Sequence, residues 1–227
     1  FDAILGWPQA VHARIGHPVT WIGAMIAAMD RRFNREADSD ATRRGAGLGV
    51  AISVIALAAG VSWVCAAILP VGWPGLILAA VLAWPLVAAR SMHDHVEAVA
   101  RPLTAGDLPA ARQAVAMIVG RDPSQLDAAG IARAATESLA ENTSDGIVAP
   151  LFWGAISGLP GIAAYKAINT LDSMIGHRTP RHDAFGWAAA RIDDVANLIP
   201  ARLTGLLFAI VSARPRIALA TMWRDAG

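Results

Sequence analysis

Two long uncharged stretches dominate the chain and predict membrane-embedded helices. Residues 45–89 contain no Asp, Glu, Lys, Arg or His. As one helix they would extend roughly 67 Å, against a hydrocarbon core of about 30 Å. The string PVGWP at 70–74 interrupts the run, which predicts a hairpin with helical arms at about 46–69 and 74–89. The same pattern would also fit a buried hairpin in a soluble bundle.

The second uncharged stretch, residues 146–165, is long enough to span a membrane but is not expected to form a straight helix. Prolines and glycines interrupt it at Pro150, Gly154, Gly158, Pro160 and Gly161. Irregular backbone at membrane depth is tolerated where protein buries it or where it lines a polar cavity. We therefore expect a broken or re-entrant segment that returns the chain towards its starting side. A last apolar helix is predicted from about 199 to 213.

Charged residues at the ends of the first stretch predict its orientation. Several arginines precede the hairpin, and Arg90 and Arg101 follow it, so both ends should face the cytoplasm. Beyond the hairpin, Asp107 and Asp127 are placed to cap the helices of a soluble insert, which we expect to end at about Val119 and Asn142.

These patterns predict an all-α, polytopic helical membrane protein. We expect one membrane-embedded domain over 1–227, with a transmembrane hairpin at 46–89, a cytoplasmic helical insert at 90–145 and broken membrane helices at 146–213. Hydrophobic residues make up 55% of the chain and charged residues 16%, which supports this class. A net charge of +1 gives no support for a nucleic-acid partner. The single cysteine, Cys65, excludes a disulfide framework within the chain.

Three polar strings border the apolar runs and are the best candidates for chemistry. They are ENTSDG at 141–146, NTLDS at 169–173 and ARIDDVAN at 190–197. A charged side chain at the centre of a bilayer costs roughly 2.5–3.5 kcal/mol on the translocon scale, so such residues are usually functional. Mixed acidic and basic groups suit a phosphate with its magnesium. Helix caps or interhelical hydrogen bonds are the structural alternative for any one pair, and a solvated helix face is the alternative for Glu137.

Four longer strings carry a resemblance to a known family. They are GRDPSQLD at 120–127, ATESLAENTSDGIVAPLFW at 135–153, AYKAINTLDSMIGHR at 164–178 and FGWAAARIDDVANLIPARLT at 185–204. Together with HPV at 17–19, they resemble the signature strings of the CobD/CbiB family, in the same order. Members are multi-pass membrane proteins of cobalamin biosynthesis known as adenosylcobinamide-phosphate synthases.

The resemblance implies ATP-dependent amide formation between adenosylcobyric acid and aminopropanol or its phosphate, with Mg²⁺ accompanying ATP. It also implies a cell-membrane location and contact with other membrane enzymes of the cobalamin pathway. The family continues beyond the final residues of this sequence, so we expect the chain to be a piece of a longer protein.

The charged and amide residues of the polar strings fit this chemistry, because a carboxylate must be activated before it acylates an amine. For magnesium we expect Asp145, Asp172, Asp193 and Asp194, with Glu141 as another candidate. For phosphate we expect Arg121, Lys166, Arg191 and Arg202. Glu137 or Glu141 would accept the proton of the incoming ammonium. Hydrogen bonds that orient substrates would come from Asn142, Asn169, Ser173 and Asn197.

Two other functions fit parts of the pattern. An intramembrane prenyltransferase also holds magnesium diphosphate between Asn and Asp clusters, although the spacing here departs from a repeated NDxxD. A transporter or membrane sensor would use broken helices as a path without consuming ATP.

Overall fold

The computed structural model describes residues 16–120 and 122–225, together with positions 2, 6, 13 and 14. All regular structure in this described part is helical, which confirms the predicted all-α fold. The α-helices are α1 (Pro18–Phe33), α2 (Asp40–Ala67), α3 (Trp73–Ala83), α4 (Ala89–Thr104), α5 (Leu108–Ala116), α6 (Ala128–Thr143), α7 (Ala149–Leu171), α8 (Trp187–Val211) and α9 (Pro215–Asp225).

Side-chain caps set the start of several helices. Asp107 accepts a hydrogen bond from the Ala110 amide at 3.0 Å, and Asp127 accepts one from Gly130 at 2.7 Å, as predicted for the insert. Ser39 caps α2 in the same way. The first insert helix ends at Ala116 instead of continuing to about 119.

The predicted hairpin forms, but its second arm is short. α2 has 28 residues, or about 42 Å at 1.5 Å per residue, whereas α3 has only 11. A single 3₁₀ turn, Trp84–Leu86, follows α3, and α4 then begins at Ala89. Four helical stretches of the described chain are long and apolar enough to cross a membrane, by length and composition. They are Asp40–Ala67, Trp73–Thr104, Ala128–Gly176 and Trp187–Val211.

The apolar outer surface agrees with a membrane environment. Trp63, Ile68 and Trp73 are 64%, 77% and 79% exposed around the hairpin turn, and Val211 is 80% exposed at the end of α8. Large exposed apolar surfaces are rare on soluble monomers. The helix lengths and this surface together indicate a membrane protein.

The membrane helices share one core. Ile26 of α1, Val54 of α2 and Leu171 of α7 are buried together with Phe185, which precedes α8. Gly47 of α2 lies against the main chain of Phe185 so closely that a Cβ there would overlap the Phe185 carbonyl oxygen. This close approach fixes the loop before α8 against α2.

The insert has a separate core. Val99 of α4, Val115 of α5 and Ile131 of α6 are buried against one another. The amide of Ala88, just before α4, donates to the Gly146 carbonyl at 2.9 Å. The start of the insert is therefore tied to the polar string that follows its last helix.

The second uncharged stretch folds back on itself, which confirms the predicted re-entrant segment. Gly158 has φ 63° and ψ −148°, a conformation that favours glycine, and it divides α7 into arms at 149–157 and 159–171. Gly154 faces Ile162 across the turn, and a Cβ on Gly161 would overlap the Trp153 carbonyl. Residues eight apart lie about 12 Å apart along a straight helix, so these contacts require antiparallel arms.

The prediction for the last helix was wrong at its start. α8 begins at Trp187, not at about 199, so the whole ARIDDVAN string is helical. Its alanines Ala188, Ala189 and Ala196 are buried, which allows the polar positions between them to lie close to neighbouring helices. In the sequence this string interrupts the apolar residues with charged ones, but in the structure its small residues pack against other helices.

A polar cluster joins the loop before α8 to α1 and α2. Arg181 donates to Asp30 at 2.9 Å, and Asn34 donates to the same carboxylate at 2.8 Å. Buried Arg43 donates to the Asn34 side chain at 2.9 Å and to the Arg181 carbonyl. Burial alone would raise the pKa of Asp30, but the hydrogen bonds from Asn34 and Arg181 and the positive charge of Arg181 outweigh it and hold this pKa below its ordinary value.

Candidate active site

Two of the predicted acids lie on π-helical turns at either end of α7. Asp145 is in the turn Ser144–Val148, and Asp172 begins the turn Asp172–Gly176. π-helical turns inside helical segments occur frequently at functional sites, since the extra residue redirects side chains. The ENTSDG and NTLDS strings therefore each supply one acid on an irregular turn.

The fold-back at Gly158 brings these two turns to the same end of the molecule. Asp145 interacts electrostatically with Asp172, although 26 positions separate them in the chain. Asp193 of α8 interacts with both of them. The three polar strings that border the apolar runs thus converge on one cluster, which we call the acid cluster (Asp145, Asp172 and Asp193).

Hydrogen bonds fix Asp193 within this cluster. The Asn197 side chain donates to Asp193 Oδ2 at 2.9 Å and accepts from the Tyr165 hydroxyl at 2.8 Å. Tyr165 is 1% exposed and also interacts with Asp145. The Trp153 indole donates to the Ala196 carbonyl at 3.1 Å, so α8 is bound to both arms of α7.

The other oxygen of Asp193 is buried without a hydrogen bond. Among the residues that the structure describes, Oδ1 has no hydrogen-bond partner. Buried polar atoms are nearly always paired, because an unpaired one costs about 1–3 kcal/mol. An unpaired carboxylate oxygen inside an acid cluster is a candidate ligand for a metal ion.

Lysine and glutamate side chains surround the acid cluster. Lys166, the residue after Tyr165, interacts electrostatically with Asp145 and offsets part of its charge. Glu141 also interacts with Asp145. Glu141 and Glu137 share a cleft of about 260 Å³ beside the 118–120 segment, since residues four apart lie on one face of a helix.

The cluster is not a closed metal cage. Within the described part of the chain, no group of three or more His, Cys, Asp or Glu residues is arranged to hold an ion. Magnesium, however, is usually bound by one or two carboxylates and completed by water and substrate phosphates. An unpaired carboxylate oxygen beside two further acids fits that open arrangement, and the magnesium assignment remains a prediction.

Several predicted residues form hydrogen bonds within their own helices. Ser173 donates to the Asn169 carbonyl at 2.8 Å, and Arg202 donates to the Leu198 carbonyl at 2.7 Å. Asn142 donates to the Ser138 carbonyl at 2.8 Å. None of these contacts joins the acid cluster, so these substrate-binding roles stay predictions.

The remaining predicted residues lie beside the cluster or outside the described chain. Asp194 is exposed and pairs with Arg191 at 3.0 Å, and it also interacts electrostatically with Asp172 and Asp193. Arg121 lies outside the described residues. Sequence reasoning assigned no role to Tyr165, although it is the chain's single tyrosine and lies four residues before Asn169.

Comparison with known proteins identifies the family. The model of the CobD/Cbib protein family matches residues 1–227. This chain belongs to the CobD/Cbib family. The cobalamin biosynthesis protein CobD of Rhodobacter capsulatus is 64% identical over 225 residues, which cover 99% of this chain and 71% of the relative.

Other members of the CobD/Cbib family are more distant. CobD of Brucella suis is 46% identical over 232 residues, covering 99% of the chain and 71% of the relative. CobD of Rhizobium meliloti is 46% identical over 209 residues, covering 92% and 64%. No solved structure shows a significant match to the chain.

Proposed function

We propose that this chain acts in cobalamin biosynthesis as an adenosylcobinamide-phosphate synthase of the cell membrane. The reaction joins the propionate carboxylate of adenosylcobyric acid to the amine of aminopropanol or its phosphate, with ATP consumed. The similarity to cobalamin biosynthesis proteins of Rhodobacter capsulatus and Brucella suis supports the pathway. The observation that carries the chemical proposal is the convergence of Asp145, Asp172 and Asp193 from three separate polar strings.

Amide formation of this kind needs an activated carboxylate. A carboxylate anion does not acylate an amine in water, so the carboxyl oxygen first becomes a leaving group as an acyl phosphate or an adenylate. The acyl phosphate forms as the β–γ phosphoanhydride bond of ATP breaks and ADP leaves, whereas the adenylate forms as the α–β bond breaks and diphosphate leaves. Attack by the amine then forms the amide and releases phosphate in the first case or AMP in the second. Bound magnesium would supply charge neutralisation at the transferring phosphate.

Side chains of the acid cluster have separable roles in this scheme. Asp193 Oδ1 would hold the metal together with one of the other two acids, Asp145 or Asp172, and water and substrate phosphates would complete its coordination. Asn197, which accepts a hydrogen bond from the Tyr165 hydroxyl, donates one to Asp193 and keeps this carboxylate in one orientation, so that little reorganisation is needed during turnover. Lys166 limits the charge that accumulates at Asp145.

The amine must lose a proton before it can attack. Glu141 lies close enough to Asp145 to interact with it and also lines the cleft shared with Glu137. A glutamate that lines this cleft and lies beside the acid cluster is suitably placed to accept this proton. Apolar surface around α2, α3 and α8 supports a reaction at the membrane, where other enzymes of the pathway would be neighbours.

The proposal is tested by product formation in membranes that contain the full-length protein. Membranes receive ATP, magnesium, adenosylcobyric acid and aminopropanol phosphate, and the amide product is measured by mass spectrometry. Asp193→Asn should reduce the rate at least a hundredfold, because the magnesium that neutralises the transferring phosphate would lose one of its ligands. A hundredfold loss of rate corresponds to an activation free energy higher by about 2.7 kcal/mol. Asp38→Asn is the matched control, because this carboxylate forms no ion pair with any described residue.

Normal turnover by Asp193→Asn, or no amide from the unchanged protein, would contradict the proposal. The folded-back α7 is also a feature of transporters, which would bind or move the corrinoid without consuming ATP. Measuring ATP consumption in the same membranes separates these functions. A prenyltransferase would consume an isoprenoid diphosphate instead.

A further inference from the structure

A polar cleft of about 490 Å³ lies next to the acid cluster, at the start of α8. Three arginines from three different segments line it: Arg44 from α2, Arg178 from the loop after the second π turn, and Arg191 from α8. Asp183 and Asp194 contribute two acids. We call this site the arginine cleft.

Two of the three guanidinium groups retain free hydrogen-bonding capacity. Arg178 is exposed and forms no hydrogen bond or ion pair with any residue that the structure describes. Arg44 lies 6.0 Å from the centre of the Trp187 ring, a cation–π contact that leaves its N–H groups unused. Only Arg191 is paired, with Asp194 at 3.0 Å.

The adjacent arginine on α2 shows what a structural arginine looks like in this fold. Arg43 is 8% exposed, and its guanidinium donates to the Asn34 side chain and to the Arg181 carbonyl. Arg44, one residue later, is exposed and directed into the cleft. The difference separates an arginine that stabilises the fold from one that is available to a ligand.

Guanidinium groups in a concave site indicate an oxyanion ligand. Arginine presents a planar fork of N–H donors that matches the oxygens of a phosphate, and such charge-assisted pairs are stronger than neutral hydrogen bonds. The two acids make the cleft mixed in charge, which suits a phosphate that carries its own cation. That cation is an ammonium in an aminoalkyl phosphate and a magnesium ion in a nucleotide.

The arginine cleft also adjoins the acid cluster directly. Gly176 lines the cleft, and the Asp172 carboxylate packs onto the Cα side of Gly176. A ligand held by Arg44 and Arg178 would therefore have its phosphate close to an acid already assigned to the reaction.

We propose that the arginine cleft binds the phosphate group of a substrate, with Arg44 and Arg178 as its ligands. The inference rests on the proposed function for the identity of that substrate, which is either ATP or aminopropanol phosphate. It extends the site beyond the acid cluster to two arginines that form no ion pair with any described residue.

Binding measured without turnover tests this inference. The full-length protein in nanodiscs is titrated calorimetrically with aminopropanol phosphate, with unphosphorylated aminopropanol, and with a non-hydrolysable ATP analogue plus magnesium. Arg44→Ala and Arg178→Ala should each weaken one phosphate-bearing ligand about tenfold or more, since each removes a charge-assisted hydrogen bond. Binding of unphosphorylated aminopropanol should not change.

Arg35→Ala provides the matched control, because it removes the same charge from an exposed position on the connector before α2. Weakening of the nucleotide alone assigns the cleft to ATP, and weakening of aminopropanol phosphate alone assigns it to the amine substrate. Arg178 is exposed and forms no hydrogen bond or ion pair with described residues, so its truncation should leave the melting temperature unchanged.

Wild-type affinity of both variants for both phosphate ligands would overturn the inference, as would absence of binding by the unchanged protein. If arginine-dependent phosphate binding is present but no amide is formed, the proposed function fails and the phosphate site stands. If the amide is formed and both variants bind normally, the proposed function stands and the phosphate site in the arginine cleft fails.

Discussion

Replacing Gly176 with alanine should damage the site without damaging the fold. An ideal Cβ at this position would overlap Asp172 Oδ1 and lie 2.8 Å from Asp172 Cγ, whereas ordinary contact begins at about 3.4 Å. The Cγ atom must therefore retreat by at least about 0.6 Å, and the carboxylate oxygens must move further. The obstacle is the end of a flexible side chain, so the backbone need not move.

The size of the effect follows from that displacement. A misplacement of about 1 Å at a reacting centre costs roughly a hundredfold in rate. We therefore expect Gly176→Ala to slow amide formation about ten- to a hundredfold, which corresponds to roughly 1.4–2.7 kcal/mol. Alanine is favoured over glycine in helical backbone by about 1 kcal/mol, so the melting temperature should stay level or rise.

The assay compares initial rates of amide formation, measured by mass spectrometry, with melting temperatures of the same full-length preparations. Gly49→Ala is the matched control, because a Cβ on this α2 glycine meets no atom within 4 Å. A normal rate in Gly176→Ala would refute the placement of Asp172 in the reaction. A lowered melting temperature would refute the claim that only a side chain must move.

Three further variants test the contacts that hold the helices around the acid cluster in place. Gly47→Ala should lower the melting temperature by overpacking against the Phe185 carbonyl, at a cost of about 1–3 kcal/mol, while Gly49→Ala does not; equal melting temperatures would contradict the packing described for α2. Tyr165→Phe should cost about 1 kcal/mol of stability and slow amide formation, because it removes the hydrogen bond to the Asn197 side chain. A turnover rate equal to wild type would show that Asn197 does not need this hydrogen bond. Because the folded pKa of Asp30 lies below its ordinary 3.8, its stabilising contribution is present above that pH and is lost as the pH falls through the folded pKa. Acid melts should show a smaller loss below pH 3.8 for Asp30→Asn than for wild type, and parallel curves would be evidence against this ionic contact.

Much of the fold and part of the site could be predicted from local patterns. The break at Gly158 was expected because glycines and prolines interrupt an uncharged stretch, and the fold-back in turn predicted that Asp145 and Asp172 would meet. The start of α8 was predicted wrongly, because the last helix was delimited by its uncharged residues, which begin only after the acids and arginine of ARIDDVAN. Its buried alanines reveal their packing role only when the neighbouring helices are in place.

Other parts of the site depend on long-range contacts that a single sequence does not encode visibly. Nothing in the local string around Tyr165 indicates that its hydroxyl meets Asn197, 32 positions later. The same holds for Arg44 and Arg178, which lie next to different apolar stretches of the sequence. They line one cleft only because α2 packs against the loop before α8. Charge alone did not distinguish them from Arg202, whose donor is used within its own helix.

The turn at Gly158 has a consequence for how material passes through the protein. Because both arms of α7 return to one end of the molecule, we expect the acids to be reached from one side of the membrane. In the proposed reaction, substrates would then enter and products would leave on that same side, with no need for transport across the bilayer. The proposed reaction then has no direction across the membrane. It should proceed equally well in detergent micelles, where no sealed compartment exists.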